Sequence, residues 1–194
     1  MLLRKAFPND GPSPSGYTIM DMGSSYGHLA RKVAKSYGCR VVCIELSATA
    51  TIENVKLTAA AGLSEKIIIP GERSFFDTQM PASSMDIVVS QDTFLHASTE
   101  HDKAIKEAAR VLKPGGIFVF SDLMSSDTVD KAKLAEMYKN LEIVGLASPA
   151  SYKRWGDEFG LEFVEYDEYS SNFATHYASL VEVIKDIGRG VPLP

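Results

Sequence analysis

Met20-Asp21-Met22-Gly23-Ser24-Ser25-Tyr26-Gly27 is the stretch on which the fold turns. It closes a short apolar run, Tyr17–Met22, and leads into Tyr26–Tyr37, where Leu29, Ala30, Val33 and Ala34 recur at helical spacing. A strand, a glycine turn and a helix in that order bring backbone close to a bound group, and the helix start carries N–H groups without intrahelical partners. The order of small residues narrows the ligand. A dinucleotide fingerprint asks for G-x-G-x-x-G, but counting from Gly23 the second position is Ser25 and the third is His28. Histidine is too large for the close helix–strand contact that the third glycine permits. The stretch fits D-x-G-x-G-x-G instead, with Ser25 in place of the middle glycine. Glu45 ends the next apolar run, 18 residues after Gly27, where a carboxylate can accept hydrogen bonds from both hydroxyls of a ribose.

Outward from that stretch, strands and helices alternate. Strands are predicted over Arg40–Glu45, Lys66–Pro70, Met85–Ser90, Ile117–Asp122 and Leu161–Tyr166. Helices are predicted from an N-cap at Ser47 to about Ala61, over 101–112, 129–146, Ser151–Phe159 and Ala174–Ile187. The early strands are near-continuous apolar runs, which indicates a mostly parallel sheet covered on both faces: an α/β, Rossmann-like three-layer sandwich. Residues 1–16 read as a loop-like leader, 17–187 as one domain and 188–194 as a tail.

The 194 residues carry a formal charge of −5, which gives no basic stripe for nucleic acid. No apolar run reaches the ~20 residues of a membrane span, and the N-terminus lacks the apolar core of a signal peptide. Cys39 and Cys43 fall on one face of one strand, a poor disulfide geometry, and read as reduced core thiols of a cytoplasmic protein, an organelle remaining open. No His, Cys or Asp cluster has metal-ligand spacing, so no metal is expected.

Three strings, Asp21-Met22-Gly23 through Gly27, Cys43-Ile44-Glu45-Leu46-Ser47, and Arg110-Val111-Leu112-Lys113-Pro114-Gly115-Gly116, together resemble class I S-adenosylmethionine-dependent methyltransferases. A narrower resemblance follows the fourth strand: Ser90-Gln91-Asp92-Thr93-Phe94-Leu95-His96 is similar to a segment of the sarcosine/dimethylglycine N-methyltransferases and of phosphoethanolamine methyltransferases. Ser121-Asp122 with Met124, and His176-Tyr177, match further. The resemblance implies S-adenosyl-L-methionine as cofactor, held by Asp21, Gly23, Ser25, Gly27, Glu45, Leu46, Ser74, Phe75 and Gln91. Ser25 adds a Cβ where backbone should approach closely, so reduced binding is expected there. His96 and Asp92 are the candidate catalytic pair, because an ammonium must lose its proton before it attacks and an imidazole titrates near neutral pH. His96, His176 and Tyr177 are candidate acceptor contacts. His28 and His101 read as surface or helix-start residues, and Trp155 as packing.

The implied activity is methyl transfer to a small-molecule acceptor, foremost the amine of a glycine derivative. Alternatives are another small acceptor (phosphoethanolamine, a phenol or a lipid) or a non-catalytic remnant that binds the cofactor. A nicotinamide dehydrogenase ranks last, because His28 breaks its fingerprint. Against the family pattern, helices before the first strand and a seventh strand are expected to be lacking. That would expose sheet edges, which a second copy in a homodimer could cover.

Overall fold

The computed structural model describes residues 14–141, 143–171 and 175. In chain order the elements are β1 (Thr18–Met22), α1 (His28–Tyr37), β2 (Arg40–Ile44), α2 (Ala48–Ala60), β3 (Ile67–Ile68), β4 (Met85–Gln91), α3 (His101–Val111), β5 (Leu112–Ser121), α4 (Lys131–Leu141) and α5 (Pro149–Glu158). Short 3₁₀ turns occupy Pro14–Gly16 and Phe94–His96. The strands form one sheet in the order β3-β2-β1-β4-β5, parallel at every pairing. The chain falls into two compact units that divide between Glu162 and Phe163; everything that follows concerns the first.

The period-two pattern of β1, β2 and β4 builds two cores. Met20, Met22, Val42, Ile44 and Val88 point to the side covered by α3, through Ala104, Ile105, Ala108 and Val111. Ile19, Val41, Cys43, Ile87 and Val89 point to the other side, against Ala30, Val33 and Ala34 of α1. Burial on both faces explains why the sequence of these strands is apolar almost without interruption. Cys39 and Cys43 are both buried and unbridged.

The helix α2 is unusual. Ser47 caps it by accepting from the Ala50 N–H at 3.3 Å. Its buried positions are Ala50, Thr51, Asn54 and Thr58, whereas Ile52 and Val55 are 58% and 50% exposed. Hydroxyls and an amide face inward and aliphatic side chains face outward, the reverse of an ordinary amphipathic helix.

Glu107 of α3 ties the sheet's far side together. Its carboxylate accepts from Thr78 N–H (2.9 Å), Thr78 Oγ1 (2.6 Å) and the Arg110 guanidinium (2.7 Å). Burial alone would push this carboxyl up, but those donors outweigh it and hold it below the usual range. Arg110 also donates to the Met80 carbonyl at 2.8 Å, which fixes the approach to β5.

Three expectations change. The third strand shrinks to Ile67–Ile68. The helix predicted over 129–146 is confined to Lys131–Leu141. The strand predicted over Leu161–Tyr166 is not formed: 161–169 carry no regular structure, with Val164 88% exposed. An apolar alternation without a neighbouring strand has no ladder to join, and pairing rather than pattern makes a strand. The helix expected over Ala174–Ile187 lies, apart from Thr175, outside the described residues. No helix among the described residues is long and apolar enough to cross a membrane.

Candidate functional site

The sheet's order reverses beside β1: the chain runs outward through β2 and β3, then returns to β4 on the opposite flank. The carboxyl ends of β1 and β4 therefore splay their loops apart and leave a crevice, the usual ligand position in open parallel sheets.

The loop after β1 is pinned to the end of β2. Gly23 N–H and Ser24 N–H both donate to the Ile44 carbonyl, at 2.8 and 2.9 Å. The Glu45 carboxylate then acts as a staple, accepting from Ser25 N–H through one oxygen and from Ser47 N–H through the other, each at 2.8 Å. Ser25 is exposed and has φ +47°. Its side chain is thus not crowded, as expected from the sequence; the cost of serine here is a left-handed backbone, which the Glu45 bond helps to hold.

Two glycines are required by their neighbours. A Cβ on Gly23 would lie 2.2 Å from Thr93 Cγ2, and one on Gly27 would lie 1.9 Å from Asn54 Oδ1. Gly27 is also the N-cap of α1 at φ +73° and brings no capping side chain. Asn54 reaches this point from α2, its Oδ1 accepting from Arg31 Nη1 and Thr58 Oγ1, both at 3.1 Å. Arg31 in turn donates to the Tyr26 carbonyl at 2.7 Å. The glycine loop therefore rests on a polar layer rather than an apolar one.

Asp21 lies in that layer, 2% exposed, with Oδ2 unpartnered. Burial, and secondarily the charge of Glu45, pushes its carboxyl up to about 7. Ser24 Oγ and Asn54 Nδ2 are likewise buried without a partner. Burial, then Asp21, also pushes the Cys43 thiol far above its ordinary value, which rules it out as a nucleophile at neutral pH.

The segment after β3 joins the same end of the sheet. Arg73 N–H donates to the Glu45 carbonyl at 2.8 Å, and Ser74 Oγ accepts from Phe76 N–H at 3.1 Å. Phe75 packs edge-on against Phe76 and Phe94, with ring centres 4.6 and 5.7 Å apart, so it belongs to the core margin as well as to the crevice side. Leu46 is 66% exposed.

Across the crevice, Gln91, Asp92 and His96 are all exposed. Asp92 has φ +50°, its N–H donates to the Ser121 carbonyl at 2.8 Å, and its Oδ1 accepts from Ser121 Oγ at 2.9 Å. The 3₁₀ turn Phe94–His96 follows, with Phe94 fully buried beneath it. The Asp122 carboxylate takes Leu95 N–H at 3.0 Å and Tyr152 Oη at 2.7 Å. Burial pushes Asp122 up to about 6, and the charge of Asp92 works in the same direction, against hydrogen bonds from Tyr152, Leu95 and Leu123.

The structure thus gathers Asp21, Gly23, Ser25, Gly27, Glu45 and Leu46 on the β1–β2 side, with Ser74 and Phe75 beside them. Gln91, Asp92 and His96 stand on the β4 side, and Thr93 joins the two groups through its Oγ1, 3.5 Å from the Gly23 carbonyl. His176 and Tyr177 lie outside the described residues. His101 is not a surface residue: it is 4% exposed, stacked on Trp155 with ring centres 6.0 Å apart, and held below its ordinary pKa by burial. Sequence reasoning missed Asn54, Thr93 and Tyr152, and gave Asp122 no role. Only Asp122 had a visible signal, an acid ending an apolar strand.

A family model described as a methyltransferase domain matches residues 20–120. The glycine/sarcosine/dimethylglycine N-methyltransferase of Actinopolyspora halophila is 36% identical over 86% of this chain and 29% of its own length. The dimethylglycine N-methyltransferase of Parasynechococcus marenigrum is 36% identical over 86% of this chain and 59% of its own. A solved structure from Galdieria sulphuraria, of a protein proposed to be a sarcosine dimethylglycine methyltransferase, superposes with TM-score 0.84 at 28% identity, covering 89% of this chain and 64% of that one. The chain thus spans between about a third and two thirds of the lengths of the proteins it matches.

Proposed function

The chain belongs to the methyltransferase-domain family, and from that premise we propose that it transfers a methyl group from S-adenosylmethionine to the amine of a small glycine derivative. The observation that carries the cofactor is the Glu45 carboxylate. It stands at the end of β2, fixed by Ser25 and Ser47 N–H. Each of its oxygens keeps acceptor capacity for a ribose hydroxyl. Beside it, Gly23 and Gly27 have no room for a Cβ, and the buried Asp21 Oδ2 lacks a donor. These residues fit the group: Glu45 would take the ribose, Gly23 and Gly27 the methionine end, and Leu46 and Phe75 the adenine. S-adenosylmethionine supplies an electrophilic methyl on a sulfonium.

On the acceptor side, the chain's own residues hold and deprotonate. Gln91, Asp92 and His96 are exposed at the end of β4. We assign His96 to receive the ammonium proton and Asp92 to hold the ammonium by charge. Most of the rate gain in such a displacement comes from holding the two partners in line, and these side chains sit on a turn fixed by five hydrogen-bonding residues. The relatives named for sarcosine and dimethylglycine support a glycine-derived amine over a phenol or lipid. The net charge of −5 argues against nucleic acid as acceptor. A cytosolic setting is supported by the two unbridged cysteines.

Calorimetric titration with S-adenosylmethionine tests this reading. One-to-one binding is expected in the parent chain, weakened roughly tenfold to a hundredfold in Glu45→Ala, about 1.4–3 kcal/mol, and abolished in Gly23→Val. A folded parent chain that does not bind overturns the reading. Assays on glycine, sarcosine, dimethylglycine and phosphoethanolamine then identify the acceptor.

A further inference from the structure

We propose that Asp122, with Tyr152, is a positioning residue for the acceptor side of the site, setting the turn that carries Asp92 and His96. The inference rests on the methyl-transfer reading above and extends it to residues with no assigned role.

The turn 92–96 has little to hold it otherwise. Asp92 sits in the left-handed region, and Gln91, Asp92 and His96 are exposed. In the sheet, Gln91 pairs with Ser121, so the end of β5 lies directly beside the start of the turn. Residues 121 and 122 then grip it at two points. Ser121 takes Asp92 by backbone and side chain. Asp122 takes the N–H of Leu95, the residue before His96. The second Asp122 oxygen is occupied by Tyr152 Oη.

Tyr152 is 7% exposed, with its ring edge-on to Phe120 at 4.8 Å and to Trp155 at 5.7 Å, so the clamp is anchored in packed aromatic core. Both oxygens of Asp122 are therefore spent on protein donors, which fits a group that orders its neighbours rather than one that meets a ligand.

The ionised form matters to this arrangement. A carboxylate accepts from Leu95 and Tyr152 together; a protonated acid must turn one oxygen into a donor and give up one of them. The charged and titratable groups facing Asp122 are Asp92 and Tyr152, and no Lys or Arg pairs with it among the described residues. Protonation is thus resisted only by the hydrogen bonds themselves.

The test compares Asp122→Ala, Asp122→Asn and Tyr152→Phe in the full chain. Three readouts are used: S-adenosylmethionine affinity, kcat and KM for the methylated amine against pH, and amide exchange of the segment containing Leu95. In Asp122→Ala, kcat is expected to fall at least about tenfold, with cofactor affinity within about threefold. Exchange at 94–96 is expected to accelerate while 101–111 is unchanged. Asp122→Asn keeps an acceptor for Leu95 and should recover most of kcat at pH 8, without the acid limb near pH 6 that the parent shows. Tyr152→Phe removes a donor to the carboxylate and should move that limb to higher pH.

If the parent transfers methyl but these variants leave kcat, its pH profile and exchange unaltered, the inference is overturned. If kcat falls only in step with cofactor affinity, a general structural role replaces it. A parent that neither binds the cofactor nor transfers overturns the methyl-transfer reading, and the exchange pattern still decides whether Asp122 holds the turn.

Discussion

Gly27→Ala is expected to cost about 3 kcal/mol of stability and to remove S-adenosylmethionine binding. Two penalties combine. The position has φ +73°, where a residue with a Cβ is strained by about 1–2 kcal/mol. The added Cβ would also fall 1.9 Å from Asn54 Oδ1 and 2.4 Å from its Cγ. Asn54 cannot retreat cheaply, because it is fully buried and its oxygen is shared by Arg31 and Thr58. Displacing it adds a further ~1–3 kcal/mol of overpacking and lost hydrogen bonding. For a chain of this size that corresponds to a melting temperature lower by about 6–12 °C. Thermal unfolding of Gly27→Ala, Asn54→Ala and the double variant isolates the contact: the double should be more stable than the sum of the two single losses implies. A Gly27→Ala variant that melts with the parent would remove Asn54 as the reason for glycine at this position.

Asp21→Asn is expected to stabilise the chain above pH 7 and to do nothing comparable below pH 4.5. The Asp21 carboxyl moves from 3.8 to about 7 on folding, first through burial and then through Glu45. A raised carboxyl means that the folded state holds the proton more tightly than the unfolded state does. Stability from this group is therefore fully present below pH ~3.8 and is lost as pH rises through ~7. The span corresponds to about 4 kcal/mol at most. Asparagine stays neutral and escapes that loss, although its amide must find a partner where Oδ2 has none. The gain should therefore be about 2–4 kcal/mol at pH 8, read as a difference in melting temperature between variant and parent at each pH. Asp122 titrates with the same sign near 6, but it is present in both proteins and cancels. Cofactor affinity should fall at the same time, a cost in stability kept for the sake of the site. A melting-temperature difference that does not change between pH 4.5 and pH 8 would mean that Asp21 is ionised without penalty.

Much of this was legible in the sequence, for reasons that differ by element. The strand–glycine–helix start could be read because Gly23 and Gly27 are forced by backbone and contact together, and such positions leave a mark that substitution cannot easily blur. The parallel sheet could be read because β1, β2 and β4 are buried on both faces, which makes their composition apolar throughout. Leu161–Tyr166 misled because alternation is necessary for a strand but the partner strand lies elsewhere in the chain or nowhere. His101 misled because it opens a helix, and the ring of Trp155 that buries it comes from α5, more than fifty residues later. Asn54, Thr93 and Tyr152 were invisible for the same reason: each matters through one long-range contact, to Gly27, Gly23 and Asp122 respectively. Glu45 was singled out as a ligand for ribose, yet its two bonds to the loops it joins could not be foreseen from spacing.

The reversed polarity of α2 bears on how the molecule opens. A helix that turns Thr51, Asn54 and Thr58 inward and leaves Ile52 and Val55 outside gains little from the burial of apolar surface and depends on directional bonds. Segments of that kind come loose well below global unfolding. Because Asn54 is the floor beneath Gly27, the helix and the glycine loop should come loose as one unit. In native-state hydrogen exchange, Val55–Ala59 and Ser24–Gly27 would then share one opening free energy, lower than that of Ala104–Val111; separate values would mean independent parts. A shared value carries a corollary: a cofactor that grips the loop would slow exchange along the whole of α2, including turns it never touches.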